Sequence, residues 1–201
     1  MKPVFEKIRE LSKPFLSTRH NEVHTEISTR LAFELLEKEG GDEDIVVPAI
    51  ILHDTGWKRV PVELHLKAFG PNATRPELNR LHEVEGVKIA EEILRKVNYD
   101  FLMIKEILMI IAGHDSRTEP VSLNDMIVKD ADKLWRYSKS GYIVDIERFG
   151  ESKEEGLERL RSNLSGWFFT VTAKEVATEK LTRRAREKSL NPAVGNDLVN
   201  D

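Results

Sequence analysis

The chain has 201 residues, of which 35 are acidic and 31 are basic, and its net charge at neutral pH is −4. This balance argues against general binding to nucleic acids or to membrane surfaces. The chain has no cysteine, which excludes disulfide bonds and thiolate zinc sites. The length indicates one domain over residues 1–190, followed by a polar tail at 191–201. No secretion signal and no apolar stretch of membrane-spanning length is visible, so we expect a cytoplasmic protein.

Apolar residues recur at helical spacing along most of the chain, and no segment shows the alternation typical of a strand. The sequence therefore predicts an all-α fold. We expect helices to end at Pro14, Gly40, Gly56 and Gly141, and the helix over 99–112 to be buried on nearly all sides. The predicted helices cover residues 4–11, 20–39, 45–53, 81–94, 99–112, 122–140, 151–164 and 166–188.

The stretch over residues 60–79 differs from the rest of the chain. It contains Pro61, Gly70, Pro71 and Pro76 and has only weak periodicity. About 20 irregular residues inside a compact domain are typical of a functional loop or a lid.

Six histidine and aspartate side chains lie in, or at the end of, apolar helical segments, where a polar group needs a partner. Four imidazoles and two carboxylates suit a divalent ion of Mn, Fe, Co, Ni or Zn better than Mg. Asp130 competes with Asp132 for the last position. The six candidate ligands are His24, His53, Asp54, His82, His114 and Asp132.

The order of these residues resembles that of the HD-domain superfamily of metal-dependent phosphohydrolases. The similarity is carried by the segments HNEVH at 20–24, IILHDTG at 50–56, HEVEGVKIA at 82–90, IIAGH at 110–114 and VKDADKL at 128–134. The resemblance implies an HD-like helical bundle with its core over about 19–137 and extra C-terminal helices over 151–188. It favours Asp132 over Asp130.

The resemblance further implies that His24, His53, Asp54 and Asp132 hold one ion. In branches of the superfamily with two further histidines, a second ion is often bound, and His82 and His114 match those positions. Asp54 would then bridge the two ions.

The activity implied by this resemblance is hydrolysis of a phosphoester or phosphoanhydride, in a small phosphorylated substrate such as a nucleotide. Metal-activated water would be the nucleophile. Asp54 and Asp115 are the candidate catalytic acids, the latter as an orienting carboxylate or a proton shuttle. Arg117, Lys133 and Arg136 are weaker candidates for contacts to phosphate. The main candidates for substrate binding are Lys58, Arg59, Arg75, Arg80 and His20.

Two alternatives come from other functional classes. One is a metal-binding regulatory protein with little turnover, and the other is a di-iron oxygenase on the same all-helical scaffold. The sequence also leaves open whether the protein forms a homo-oligomer.

Overall fold

The computed structural model describes residues 1–18, 21–71 and 73–187. Over these residues the chain forms ten α-helices and no strand, so the predicted all-α fold is confirmed. None of these helices is both long and apolar enough to cross a membrane. Three short 3₁₀ helices cover Thr55–Arg59, Val62–Leu64 and Trp135–Tyr137. The α-helices are α1 (Pro3–Leu16), α2 (Asn21–Glu39), α3 (Glu43–Leu52), α4 (His65–Ala68), α5 (Glu77–Lys96), α6 (Phe101–Ile111), α7 (Leu123–Leu134), α8 (Lys139–Phe149), α9 (Lys153–Trp167) and α10 (Val171–Arg186).

Helix α3 lies at the centre of the molecule. Every residue from Ile45 to Leu52 is buried, and α1, α2, α6 and α7 all pack against this helix. The side chain of Asp42 accepts a hydrogen bond from the Asp44 amide and so caps the first turn. Each large apolar side chain buried here stabilises the fold by about 1.5–3 kcal/mol. The C-terminal end of α3 is therefore a fixed point, and His53 and Asp54 follow it directly.

The predicted helix ends at Pro14 and Gly141 are wrong. Helix α1 continues through Pro14 to Leu16, because Pro14 lies on the exposed side, where loss of one backbone hydrogen bond is tolerated. Gly141 lies inside α8, and the break falls at Ser138, whose hydroxyl accepts from the Gly141 amide. A side chain at Gly141 would meet the carbonyl oxygen of Trp135 at 2.0 Å, so this glycine permits a close approach.

Helix α6 is less buried than its sequence suggests. Ile104, Ile107 and Ile110 are buried, but Phe101 is 57% and Leu102 is 73% exposed. These two residues form the first turn of α6, which extends beyond the core.

The C-terminal helices are joined to α7 by a buried carboxylate. Asp130 accepts hydrogen bonds from the amides of Phe169 and Thr170 and from the Thr170 hydroxyl, at 2.7–2.9 Å. Thr170 in turn caps the first turn of α10. Helix α10 thereby starts against α7, at Val171, five residues later than predicted. The predicted tail at 191–201 lies outside the described residues.

Candidate metal centre

The structure brings the six candidate ligands together from five helices and the ends that follow them. All six side chains are buried, the most exposed being Asp54 at 7%. His24 lies on α2, His82 on α5 and Asp132 on α7. His53 and Asp54 follow α3, whereas His114 lies in the turn after α6.

Three of these residues form what we call the first cluster: His24, His53 and Asp132. The Nε2 atoms of His24 and His53 are 2.9 Å apart. Oδ1 of Asp132 lies 3.3 Å from the His24 nitrogen and 3.6 Å from the His53 nitrogen. The three atoms surround one point at which a cation could lie.

A second cluster consists of His82, His114 and Asp115. The two Nε2 atoms are 3.2 Å apart, and Oδ2 of Asp115 lies 3.7 Å from His82 and 3.8 Å from His114. The sequence suggested Asp115 as an orienting acid or a proton shuttle. The structure instead places its carboxylate among the atoms that could hold an ion directly.

Asp54 lies between the two clusters. Its Oδ1 is 3.7 Å from His53, 3.7 Å from His82 and 3.6 Å from His114. Its Oδ2 is 3.5 Å from His24. One carboxylate therefore reaches both clusters, which is the geometry that a bridging ligand requires.

Hydrogen bonds to backbone carbonyls fix the orientation of two of the imidazoles. Nδ1 of His53 donates to the Ile50 carbonyl at 2.8 Å, and Nδ1 of His114 donates to the Ile111 carbonyl at 2.9 Å. Because a carbonyl can only accept, Nδ1 carries the proton and, in the neutral ring, Nε2 presents a lone pair. Each of these Nε2 atoms also faces carboxylate oxygens, and a cation between them would stabilise this arrangement. The donor set therefore fits a divalent metal ion.

The carboxylates favour positive charge at this centre. Burial by itself lowers the pKa of His114, but Asp54 and Asp115 outweigh burial and raise that pKa to about 9. Burial likewise lowers the pKa of His53, and Asp54 and Asp132 reverse this and raise it. By contrast, burial and the neighbouring His114 lower the pKa of His82 to about 4.

A tight helix crossing positions Asp54 against α5. A side chain at Gly56 would meet the carbonyl oxygen of His82 at 1.9 Å and the amide nitrogen of Gly86 at 2.5 Å. Gly56 thus has a different role from the predicted helix stop, since α3 has already ended at Leu52. The indole of Trp57 stacks on His82 at 4.1 Å, and its Nε1 donates to Asp54 Oδ1 at 3.1 Å.

Two buried charged residues that the sequence analysis missed hold the turn carrying His114 and Asp115. Lys129 Nζ donates to the carbonyls of Gly113, His114 and Arg117 at 2.6–2.9 Å. Glu83 accepts from the amides of Asp115 and Ser116 and from the Ser116 hydroxyl. The only sequence signal for these roles was that Glu83 follows His82 and Lys129 precedes Asp130 in the segments that resemble the family.

A cavity of about 460 Å³ opens from the centre. Its wall includes His24, Asp54, Asp115 and Asp132 together with four basic side chains. Aromatic rings and a glycine also line the cavity. The basic side chains are Lys133, Arg136, Arg148 and Arg159.

The four basic residues that were the main candidates for substrate binding do not line this cavity, and neither does Arg117, whereas the weaker candidates Lys133 and Arg136 do. Lys58 and Arg59 are exposed, and Lys58 donates to Ser17. Arg75 pairs with Glu77 at 2.6 Å, whereas Arg80 donates to Glu83 and to the Ala112 carbonyl. The apolar residues of this stretch pack around Trp57 in a separate small cluster, which leaves its cations at the surface. His20 lies outside the described residues.

The protein is therefore all-helical and has a candidate metal centre, in which Asp54 lies between two buried clusters of histidine and aspartate. The family model for the HD domain matches residues 22–136, which is more than half of the chain. The chain therefore belongs to the HD-domain family, a superfamily of metal-dependent phosphohydrolases. No curated protein and no solved structure matched the chain. The family match ends at Arg136, so α8, α9 and α10 lie beyond it.

Proposed function

We propose that the protein is a metal-dependent phosphohydrolase that cleaves a phosphoester or phosphoanhydride, with a nucleotide as the substrate class. The observation that carries this proposal is the Asp54 carboxylate, which reaches both histidine clusters at the base of a cavity with basic walls. Family membership supports the reaction type. The ring of Trp167, which is partly exposed and lines the same cavity, supports a substrate with a flat ring.

The residues that would hold the ions are those of the two clusters with Asp54 between them. A bound divalent ion supplies Lewis acidity, which lowers the pKa of a water ligand and polarises a phosphoryl oxygen. Transition ions fit this nitrogen-rich donor set better than Mg²⁺ does.

Lys133 orients the two outer carboxylates of the centre. Its Nζ lies 2.9 Å from Asp115 Oδ1 and 2.7 Å from Asp132 Oδ2. Because each carboxylate uses one oxygen for Lys133, its other oxygen is turned towards the histidines. The same ammonium group lines the cavity, where it can neutralise the charge of an entering phosphate.

The experiment is removal and replacement of the metal. Protein stripped with a chelator is expected to release phosphate or pyrophosphate from a panel of nucleotides only after Mn²⁺, Co²⁺, Ni²⁺, Fe²⁺ or Zn²⁺ is added, and less with Mg²⁺. The Lys58→Ala variant is a matched control, because this exposed lysine lies away from the cavity. Metal binding without turnover on the panel would support a regulatory protein instead. Oxygen consumption by the iron-loaded protein would support the oxygenase.

A further inference from the structure

We propose that the outer wall of the cavity is a second anion site, which binds a phosphate group of the substrate other than the one cleaved. This inference rests on the proposed function and narrows it to substrates that carry at least two phosphates, such as nucleoside diphosphates and triphosphates. The site is formed by Arg136, Arg148 and Arg159 around Asp145.

One buried carboxylate holds the three guanidinium groups together. Asp145 is 1% exposed, and its Oδ2 lies 2.9 Å from Arg136 and 3.7 Å from Arg159. Its Oδ1 lies 3.2 Å from Arg148. Arg159 also pairs with Glu151 at 2.9 Å. One buried acid thus gathers three guanidinium groups on one part of the cavity wall, and the planar shape of this group suits paired contacts to phosphate.

Each of these arginines also lies over an aromatic ring. Arg136 is 5.9 Å from the ring centre of Trp167, and Arg159 is 5.1 Å from that of Phe149. Arg148 is 5.5 Å from the ring of Phe69. The carboxylate and the rings together fix the planar groups before any ligand enters, which lowers the entropy cost of binding an anion.

A close contact between the loop and α8 closes the outer side of this wall. A side chain at Gly70, where φ is +92°, would meet Cε1 of Phe149 at 2.4 Å. The rings of Phe69 and Phe149 also contact each other edge to face at 6.2 Å. Only glycine allows this approach, which brings the predicted functional loop into the wall of the cavity.

Two sets of cations therefore line one cavity and have different anchors. Lys133 is held by Asp115 and Asp132 at the metal centre, whereas Arg148 and Arg159 are anchored on Asp145. A guanidinium group has five N–H donors, and Arg136 uses one of them on Asp145. The centre and Lys133 can take the phosphate that is cleaved, and the arginines can take the next one along the chain of phosphates.

The helices that supply most of this wall lie beyond the residues that the family shares. The match to the HD domain ends at Arg136, whereas Asp145 and Arg148 lie on α8 and Arg159 lies on α9. The matched part of the fold thus carries the centre and Arg136, and the C-terminal helices carry the other two arginines and Asp145.

Calorimetric titration with inorganic triphosphate and with orthophosphate tests the site, using protein loaded with Mn²⁺. Triphosphate should bind at least about tenfold more tightly than orthophosphate, because charged hydrogen bonds are typically worth a factor of ten or more. The variants Arg136→Met and Arg159→Met should each lose about tenfold in triphosphate affinity and change orthophosphate affinity less than about twofold. Equal triphosphate binding by wild type and both variants would overturn the proposal.

Arg161→Met is the matched control. Arg161 lies two residues after Arg159 on α9, has a side chain that is 50% exposed, and pairs with Glu158 outside the cavity. Its substitution should leave both affinities unchanged. If a methionine variant loses helical signal in circular dichroism, the Lys variants at the same positions replace it. They keep the charge but lose the planar fork, so undiminished triphosphate binding in them counts against the site.

The same titrations separate this proposal from the proposed function. If triphosphate binding depends on the arginines but the protein hydrolyses no substrate, the anion site is supported and the proposed hydrolase function is overturned. Metal-dependent hydrolysis with triphosphate binding that ignores the arginines would do the opposite.

Discussion

The first and second clusters contain the same types of side chain but are supported differently. In the first cluster, His24 and Asp132 lie within α2 and α7, and His53 caps the buried helix α3. In the second cluster, His114 and Asp115 lie in the turn after α6, outside any helix. Apolar packing between helices holds the first cluster, whereas the turn of the second depends on hydrogen bonds to Lys129 and Glu83.

One part of the centre is therefore held by many apolar contacts, and the other part by a few hydrogen bonds. Loss of one apolar contact is spread over a helix that many other side chains hold in place. Loss of one buried charge, by contrast, leaves several backbone groups without a partner. We therefore expect single substitutions far from the ions to affect the second cluster more than the first.

The largest effect is expected at the residue that the two clusters share. Asp54→Asn replaces one carboxylate oxygen with a group that cannot bind a cation, so both ions and all turnover should be lost. Elemental analysis after dialysis gives the metal stoichiometry, and circular dichroism checks that the helical content is retained. A variant that keeps full metal content would contradict the bridging role.

Substitution of Asp132 should affect the first cluster alone. Asp132→Asn removes the carboxylate that faces His24 and His53. The first ion should bind more weakly by more than about 100-fold, the upper end of the cost of removing an outer partner of a metal ligand. Titration with Co²⁺ followed by visible absorption resolves the two binding steps. Equal weakening of both steps would erase the distinction between the clusters.

Substitution of Lys129 should affect the second cluster alone. Lys129→Met leaves the carbonyls of Gly113, His114 and Arg117 without this donor, at a cost of about 1–3 kcal/mol in the free energy of unfolding. As the turn loosens, the second ion should bind about 10- to 100-fold more weakly. The first Co²⁺ step should be unchanged, and chemical denaturation measures the stability. An unaltered second step would mean that packing alone positions the turn.

The smallest effect on metal binding is expected at Asp130, two residues from Asp132. Asp130→Asn removes an acceptor oxygen at the start of α10, so the protein should be less stable by about 1–2 kcal/mol. Both Co²⁺ steps should stay as in the wild type, since this carboxylate faces Phe169 and Thr170. Weaker metal binding than in Asp132→Asn would exchange the roles of the two acids.

The sequence predicted what depends on residue type and order. Helical periodicity located the long helices, and the spaced histidines and aspartates predicted the six residues that the structure brings together. The roles of Lys129 and Glu83 could not be read in this way, because charged residues beside a motif usually belong to a solvated surface. Their burial depends on the path of the turn over 113–117.

The sequence predicted the cavity wall only in part, through Lys133, Arg136 and the loop over 60–79. Lys58 and Arg75 lie near the motif along the chain, whereas Arg148 and Arg159 come from later helices with no recognisable pattern. Which of them meets the cavity depends on how α8 and α9 cross the centre, and on Asp145, which gathers three arginines. Distance from the motif along the chain predicted neither the crossing of these helices nor the role of Asp145.

The buried carboxylate of Asp130 on α7 connects the start of α10 to the helix that carries Asp132. Asp130 and Asp132 lie on the same helix, one joined to the last helical hairpin and one facing the imidazoles. If α9 and α10 were removed, the Asp130 carboxylate would lose its hydrogen-bond donors, less than one helical turn from Asp132. We therefore expect the segment that matches the family to need α9 and α10 for stable folding.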